Sequence, residues 1–323
     1  MILSASSRKD VFGFEGKRVW VAGHNGMVGS ALVRRLEREN CEILKISKRE
    51  LDLTRQSDTE DWMAAVRPDV VLVAAAKVGG IAANAAYPAD FLYINALIAM
   101  NIMKAAAEIG VEKLLWMGSS CIYPKFAAQP IDERALLSGP LEPTNEAYAI
   151  AKIAALKLAQ AYALQHGVNS ISVMPTNLYG QNDNFDPLGS HVIPAMLRKI
   201  HEAKTTGADT VAIWGTGNPL REFMHVDDLA DACCFLMKSH AHLPPTNIGS
   251  GQEISIRDLA YLVAEIVGYH GRILFDESKP DGAPRKLLNC PLLNDLGWKP
   301  KIDLTRGIDD LYARWRGLVE EAA

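Results

Sequence analysis

The residues best suited to chemistry begin with Tyr148 and Lys152, four apart in the helical run NEAYAIAKIAALKLAQAY. That spacing puts both side chains on one helix face. A phenol with an ordinary pKa of about 10 is a poor acid or base at neutral pH, and a nearby ammonium favours its ionised form. The same lysine can hold the ribose of a nicotinamide nucleotide. Y-x-x-x-K alone is common in helices, so the weight comes from Ser119, placed just after the fourth expected strand. Ligands of open α/β sheets lie in the crevice beyond such strand ends.

A second group is VWVAGHNGMVGSALVRRL, which sets Gly23, Gly26 and Gly29 between a strand and a helix. Glycine there lets the backbone turn tightly, approach a pyrophosphate and pack helix on strand. The helix start then offers unpaired N–H groups to phosphate oxygens. The spacing is G-x-x-G-x-x-G rather than G-x-G-x-x-G, and an ordinary strand-to-helix turn is the alternative. The second strand runs into Ser47-Lys48-Arg49, with no acid before Glu50. A carboxylate at that point would bind the ribose 2′-OH of NAD, whereas a cation suits the 2′-phosphate of NADP. Arg49, with Lys48 beside it, therefore predicts NADP(H); a solvated basic turn is the alternative.

These residues need a scaffold, and the apolar pattern supplies one. Runs at 18–22, 42–46, 69–74, 113–118 and 170–174 read as strands, nearly continuous in apolar character, as in a sheet covered on both faces. Helical stretches at 27–39, 56–66, 89–109 and 146–165 alternate with them. The β-α-β-α order predicts an α/β fold, a doubly wound parallel sheet of Rossmann type. After Tyr179 the pattern breaks into loops, short helices and separated strands, a smaller C-terminal α/β substrate lobe. The expected division is a nucleotide domain at 17–180, to which 224–248 returns, and a lobe built from 181–223 and 249–323.

Length and composition set bounds. The chain has 323 residues, 49% hydrophobic and 22% charged, an ordinary globular profile. A net charge of -4 with no basic stripe argues against a nucleic-acid partner. No stretch is expected to reach the roughly 20 apolar residues that span a bilayer. The start, residues 1–17, reads as a short leader rather than a signal peptide. Five irregularly spaced cysteines form neither a zinc motif nor a disulfide framework, so no metal is expected and a reducing cytoplasm fits.

The glycine loop, the serine after strand four and Y-x-x-x-K together resemble the extended short-chain dehydrogenase/reductase superfamily. Within it, AAAKVGGIAAN, GSSCIYPK, EPTNEAYAIAK, MPTNLYG, SHVIPAML, REFMHVDD and KPDGAPRK, in that order, resemble the GDP-L-fucose synthase family from about Lys17 to the C-terminus. The resemblance implies NADPH-dependent conversion of GDP-4-keto-6-deoxy-D-mannose to GDP-L-fucose, by epimerisation at C3 and C5 and reduction at C4. It implies a catalytic triad of Ser119, Tyr148 and Lys152, and an epimerising pair, Cys121 and His191. Cofactor contacts are implied for Gly23, His24, Asn25, Gly26, Met27, Val28 and Gly29. They are implied equally for Arg49, Met117, Gly118, Ser119, Ser120, Lys152, Pro175, Thr176, Asn177, Leu178 and His191. Where the family often has a basic residue this chain has Asn25, which weakens phosphate contact but keeps the loop. Substrate contacts are implied for Asn177, Lys199, Trp214, Arg221 and Asp281, and a homodimer through a four-helix bundle of 89–109 and 146–165.

The chemistry explains why such residues serve. A C4 ketone acidifies the hydrogens at C3 and C5, and inversion needs proton removal on one face and return on the other. A thiol (about 8.5) and an imidazole (about 6.5) titrate near enough to neutrality for that. Ser119 and Tyr148 can stabilise an enolate at O4. Alternatives stand beside each reading. Cys121 could be a small buried residue and His191 a helix cap; Trp214 could stack on a base or fill the lobe; Asn177 could form an Asx turn. A thicker monomer core is the alternative to the bundle. A sugar-nucleotide 4,6-dehydratase or 4-epimerase is the competing enzyme, and a dehydratase would carry an acid beside the triad serine, where this chain has Ser120 and Cys121. A non-catalytic NADP sensor would have lost Tyr148 or Lys152.

Overall fold

The computed structural model describes residues 12–187, 189–239, 244–279 and 281–322, so most of the expected leader lies outside it. The chain opens with β1 (Arg18–Ala22), α1 (Met27–Leu36), β2 (Glu42–Leu44), α2 (Gln56–Val66) and β3 (Val70–Val73). Next come α3 (Ile81–Ala86), α4 (Pro88–Ile109), β4 (Lys113–Met117), α5 (Glu146–His166), β5 (Ser170–Pro175) and β6 (Asn177–Tyr179). Then follow α6 (Val192–Thr205), β7 (Thr210–Trp214), β8 (Leu220–His225), α7 (Val226–Ser239) and β9 (Thr246–Ile248). The last elements are β10 (Glu253–Ser255), α8 (Ile256–Val267), β11 (Arg272–Asp276), β12 (Arg285–Lys286), α9 (Pro291–Asp295) and α10 (Leu304–Ala322).

Six parallel strands form the main sheet in the order β2-β1-β3-β4-β5-β9. Alternate residues feed two separate cores. Val19, Val21, Val70, Leu72 and Leu115 pack beneath α1 and α7, while Trp20, Val71, Val73, Leu114 and Trp116 pack beneath α2 and α4. Burial of both faces is what the continuous apolar runs require. The chain leaves β1 toward β2 on one side and returns through β3 on the other. That reversal opens a crevice at the carboxyl ends of the strands.

Boundaries follow local chemistry. Pro88 stands at the first turn of α4, where its missing N–H costs nothing. Left-handed Gly110 and Gly167 close α4 and α5. β2 is shorter than the apolar run suggests, and α3 adds a short helix outside the expected alternation. α4 is also long and apolar enough by composition to cross a membrane, against the sequence expectation. Its Phe91, Ile98, Ile102 and Met103 are buried, the inner face of a core helix.

A third core gathers Tyr179, Leu197, Ile200, Val211, Leu259, Val263 and Ile308 from β6, α6, β7, α8 and α10. Here β8 pairs with β6, β10 and β12, and β7 pairs with β11. This second body stands over the crevice.

Candidate active site

The turn after β1 is built around two glycines that the fold cannot replace. Gly23 has φ +85, and a Cβ there would meet the Ala75 backbone at 2.7 Å. A Cβ on Gly29 would lie 2.0 Å from the Gly23 carbonyl oxygen. Gly26 differs: its φ is -77, and a Cβ would touch only the Gly23 oxygen at 3.5 Å. No protein contact demands glycine there, so the open space is left for a ligand. α1 starts at Gly26 without any side-chain cap, so its first N–H groups face outward. His24 adds a buried Nδ1 without a partner, and burial lowers its pKa, helped by Lys45. This cradle fits a dinucleotide pyrophosphate.

One cavity of about 1090 Å³ runs from that turn between the two bodies. Of the residues singled out in the sequence, all line it except Arg49. Lys48 takes that place, and Arg49 is exposed outside the lining. The basic turn therefore faces the cavity through the neighbouring residue.

At the centre, Ser119 ends the β4 strand region and caps a short 3-10 turn over Ser120–Ile122, its Oγ accepting from the Cys121 N–H at 3.2 Å. The Ser119 hydroxyl also neighbours the Tyr148 phenol at the cavity wall. Lys152, one turn further along α5, donates to the Met117 carbonyl at 2.8 Å and lies 5.7 Å from the Tyr148 ring. Burial pushes the Tyr148 phenol up, Cys121 adds to this, and the Ser119 hydrogen bond opposes it. Burial pulls Lys152 down to about 8. This corrects the expectation of an ammonium-favoured phenolate. Desolvation is the largest influence on the phenol, and it favours the protonated form.

Two side chains not singled out in the sequence converge on Cys121 Sγ. Asn145 Nδ2 donates at 3.3 Å and Lys286 Nζ at 3.6 Å. They lie in the EPTNEAYAIAK and KPDGAPRK segments, which is the only signal that could have found them. His191 precedes α6 but makes no capping hydrogen bond from its side chain. Its Nδ1 lies 3.4 Å from Asp183 Oδ1.

Over the far end, Trp214 is 55% exposed, which removes the core-filling alternative. Lys199 Nζ lies 5.2 Å from its ring centre, and burial lowers the Lys199 pKa with help from Arg198. Arg221 donates to the carbonyls of Leu220 (2.8 Å) and Asp281 (3.4 Å). Burial lowers its pKa, with Asp281 and Glu142 opposing, so the guanidinium is suited to a further anion. The Asp281 carboxylate accepts from Thr216 N and Oγ1, each at 2.8 Å, and so braces the turn after Trp214. Asn177 Nδ2 donates across the strands to the Glu222 carbonyl at 2.8 Å. No cluster able to hold a metal ion occurs among the described residues.

Such a site pairs a buried proton donor with two further acid–base groups beside a dinucleotide cradle. The NAD dependent epimerase/dehydratase family model matches residues 19–249. GDP-L-fucose synthase 1 of Arabidopsis thaliana is 57% identical over 296 residues, covering 91% of this chain and 92% of that one. GDP-L-fucose synthase of Escherichia coli (strain K12) is 51% identical over 306 residues, covering 92% and 95%. A crystal structure of a GDP-L-fucose synthetase from Naegleria fowleri bound to NADP superposes with a TM-score of 0.87 at 26% identity, covering 95% and 96%. The chain belongs to the NAD dependent epimerase/dehydratase family and, within it, to the GDP-L-fucose synthases.

Proposed function

We propose that the protein converts GDP-4-keto-6-deoxy-D-mannose to GDP-L-fucose with NADPH, epimerising C3 and C5 and reducing C4 in one cavity, as an isomerase and oxidoreductase together. The observation that carries this is the convergence of Ser119, Tyr148, Lys152, Cys121 and His191 on the cavity that also holds the glycine turn. The glycine cradle and Lys48 would hold the cofactor, which when bound supplies the hydride for C4. Arg221 and Lys199 would grip the diphosphate, and exposed Trp214 would stack on the base.

The side chains act in two phases. Cys121 and His191 remove and return protons at C3 and C5, while Ser119 and Tyr148 hold the charge that gathers on O4. Burial further favours the protonated Tyr148 phenol, and the same group then delivers its proton to O4 as C4 is reduced. Lys152, fixed by the Met117 carbonyl, orients the cofactor ribose and stands ready to reprotonate the phenol.

The division into a nucleotide domain (17–180 with 224–248) and a substrate lobe (181–223 and 249–323) is supported by β9 joining the six-stranded sheet. A homodimer through α4 and α5 is supported by Leu92, Tyr93, Met100, Ile150 and Leu164, apolar yet exposed on two adjoining helices. Free cysteines at all five positions support a cytoplasmic setting.

The test is incubation with GDP-4-keto-6-deoxy-D-mannose in deuterated water, with and without NADPH. Deuterium should enter C3 and C5 without reductant, and GDP-L-fucose should form as NADPH absorbance falls. Reduction with no exchange would sink the epimerase half.

A further inference from the structure

We propose that Asp183 is the positioning residue for His191, selecting the tautomer that turns Nε2 to the substrate; this rests on the functional reading above. The Asp183 side chain is 2% exposed. Its Oδ1 lies 3.4 Å from His191 Nδ1 and accepts from the Asn184 N–H at 2.8 Å. Its Oδ2 is buried and has no hydrogen-bond partner. Among the described residues, no lysine or arginine forms an ion pair with it, and the His191 imidazole is the one basic side chain within ion-pair distance. Burying a polar group costs free energy unless it is hydrogen-bonded, and the contact that Oδ1 makes with the imidazole at the cavity wall gives this one a task.

The task follows from the ring. His191 is not spent on capping α6, and its side chain remains partly open to the cavity. An acceptor at Nδ1 keeps the proton there in the neutral ring and leaves Nε2 free for substrate. It also stabilises the ring when Nε2 takes up a proton, as a buried aspartate does for a catalytic histidine in hydrolases.

The carboxylate is held by a strap with two anchors. Asn182, in the left-handed region at φ +66, donates to Ser30 Oγ of α1 at 3.0 Å. Phe185 stacks on Trp315 of α10, with ring centres 4.8 Å apart and planes 9° from parallel. Asp183 lies between these fixed points. The strap therefore joins the cofactor helix, the C-terminal helix and the proton-transfer residue.

The experiment is Asp183→Asn, which keeps the shape and removes the charge. Deuterium exchange without reductant should fall at least about tenfold at the centre His191 serves, a part of the hundred- to ten-thousand-fold that general acid–base catalysis supplies. Oxidation of GDP-L-fucose by NADP+, which needs no proton transfer at carbon, should fall by less than about threefold, far below that acid–base scale. Exchange at the wild-type rate would overturn the proposal, as would equal loss of both activities. In an His191→Asn background, Asp183→Asn should cause no further loss; an additive loss would show that Asp183 acts elsewhere. Nitrogen-15 NMR of the histidines needs no substrate. It should show Nδ1–H at His191 in the wild type and loss of that preference in the variant, and an unchanged tautomer refutes the assignment even if the functional reading also fails.

Discussion

Alanine at Gly26 and at Gly29 should produce opposite phenotypes, though the two glycines sit three residues apart in one turn. At Gly29 the new methyl would meet three backbone atoms: the Gly23 oxygen at 2.0 Å, the Gly23 carbon at 2.6 Å and the His24 Cα at 2.8 Å. The carbonyl would have to retreat by about 1.4 Å to reach ordinary contact at 3.4 Å, and no flexible side chain can absorb that shift. Overpacking of this kind costs roughly 1–3 kcal/mol. For a chain of this size that is a fall in Tm of several degrees, at about 2–4 °C per kcal/mol. Gly26→Ala meets only one atom, at 3.5 Å, with a backbone any residue adopts, so its Tm should stay within about 2 °C of wild type. Its methyl would instead stand where phosphate approaches. Losing one charge-assisted backbone hydrogen bond, worth about 1.5–3 kcal/mol, weakens NADPH binding roughly 10- to 150-fold. Thermal unfolding and a fluorescence titration with NADPH read the two effects separately. A Gly26→Ala protein with wild-type NADPH affinity would refute placement of the pyrophosphate at this turn.

Lys48→Ala should raise the Michaelis constant for NADPH far more than that for NADH, and Arg49→Ala should do so less, because only Lys48 lines the cavity; the reverse ranking would return the role to Arg49. Cys121→Ser replaces a thiol with a far weaker acid and should slow deuterium exchange by about a hundredfold or more. Normal exchange and normal GDP-L-fucose formation would make Cys121 structural. Lys152→Met should abolish turnover while altering the pH dependence of stability. Burial holds the folded Lys152 at about 8 against 10.5 for the free side chain, so charging it in the fold costs at most roughly 3 kcal/mol at neutral pH. That penalty is fully present below pH 8 and is relieved as pH rises to about 10.5, where only the unfolded chain still holds the proton. The stability of the variant relative to wild type should thus be greater at pH 7 than at pH 10, and a gap independent of pH would refute it.

Features that depend on neighbouring residues are legible in the amino-acid sequence alone. The glycine turn, the strand–helix alternation and the Tyr148–Lys152 pair depend on dihedral preference, periodicity and spacing within a few positions, and all three appear in the fold. The order of motifs likewise points to the family that the relatives show. Packing decides the rest. Which of Lys48 and Arg49 faces the cavity depends on how one exposed turn lies, and spacing does not encode that. Cys121 is joined by Asn145 from 24 residues away and by Lys286 from 165, a meeting made only when β12 docks beside β8. Asp183 reaches His191 because Asn182 and Phe185 pin their loop to α1 and α10. The upward shift of the Tyr148 pKa also comes from depth, which spacing along the chain does not encode. Desolvation is a property of everything that surrounds a group, and the sequence names those surroundings without saying which will close over it.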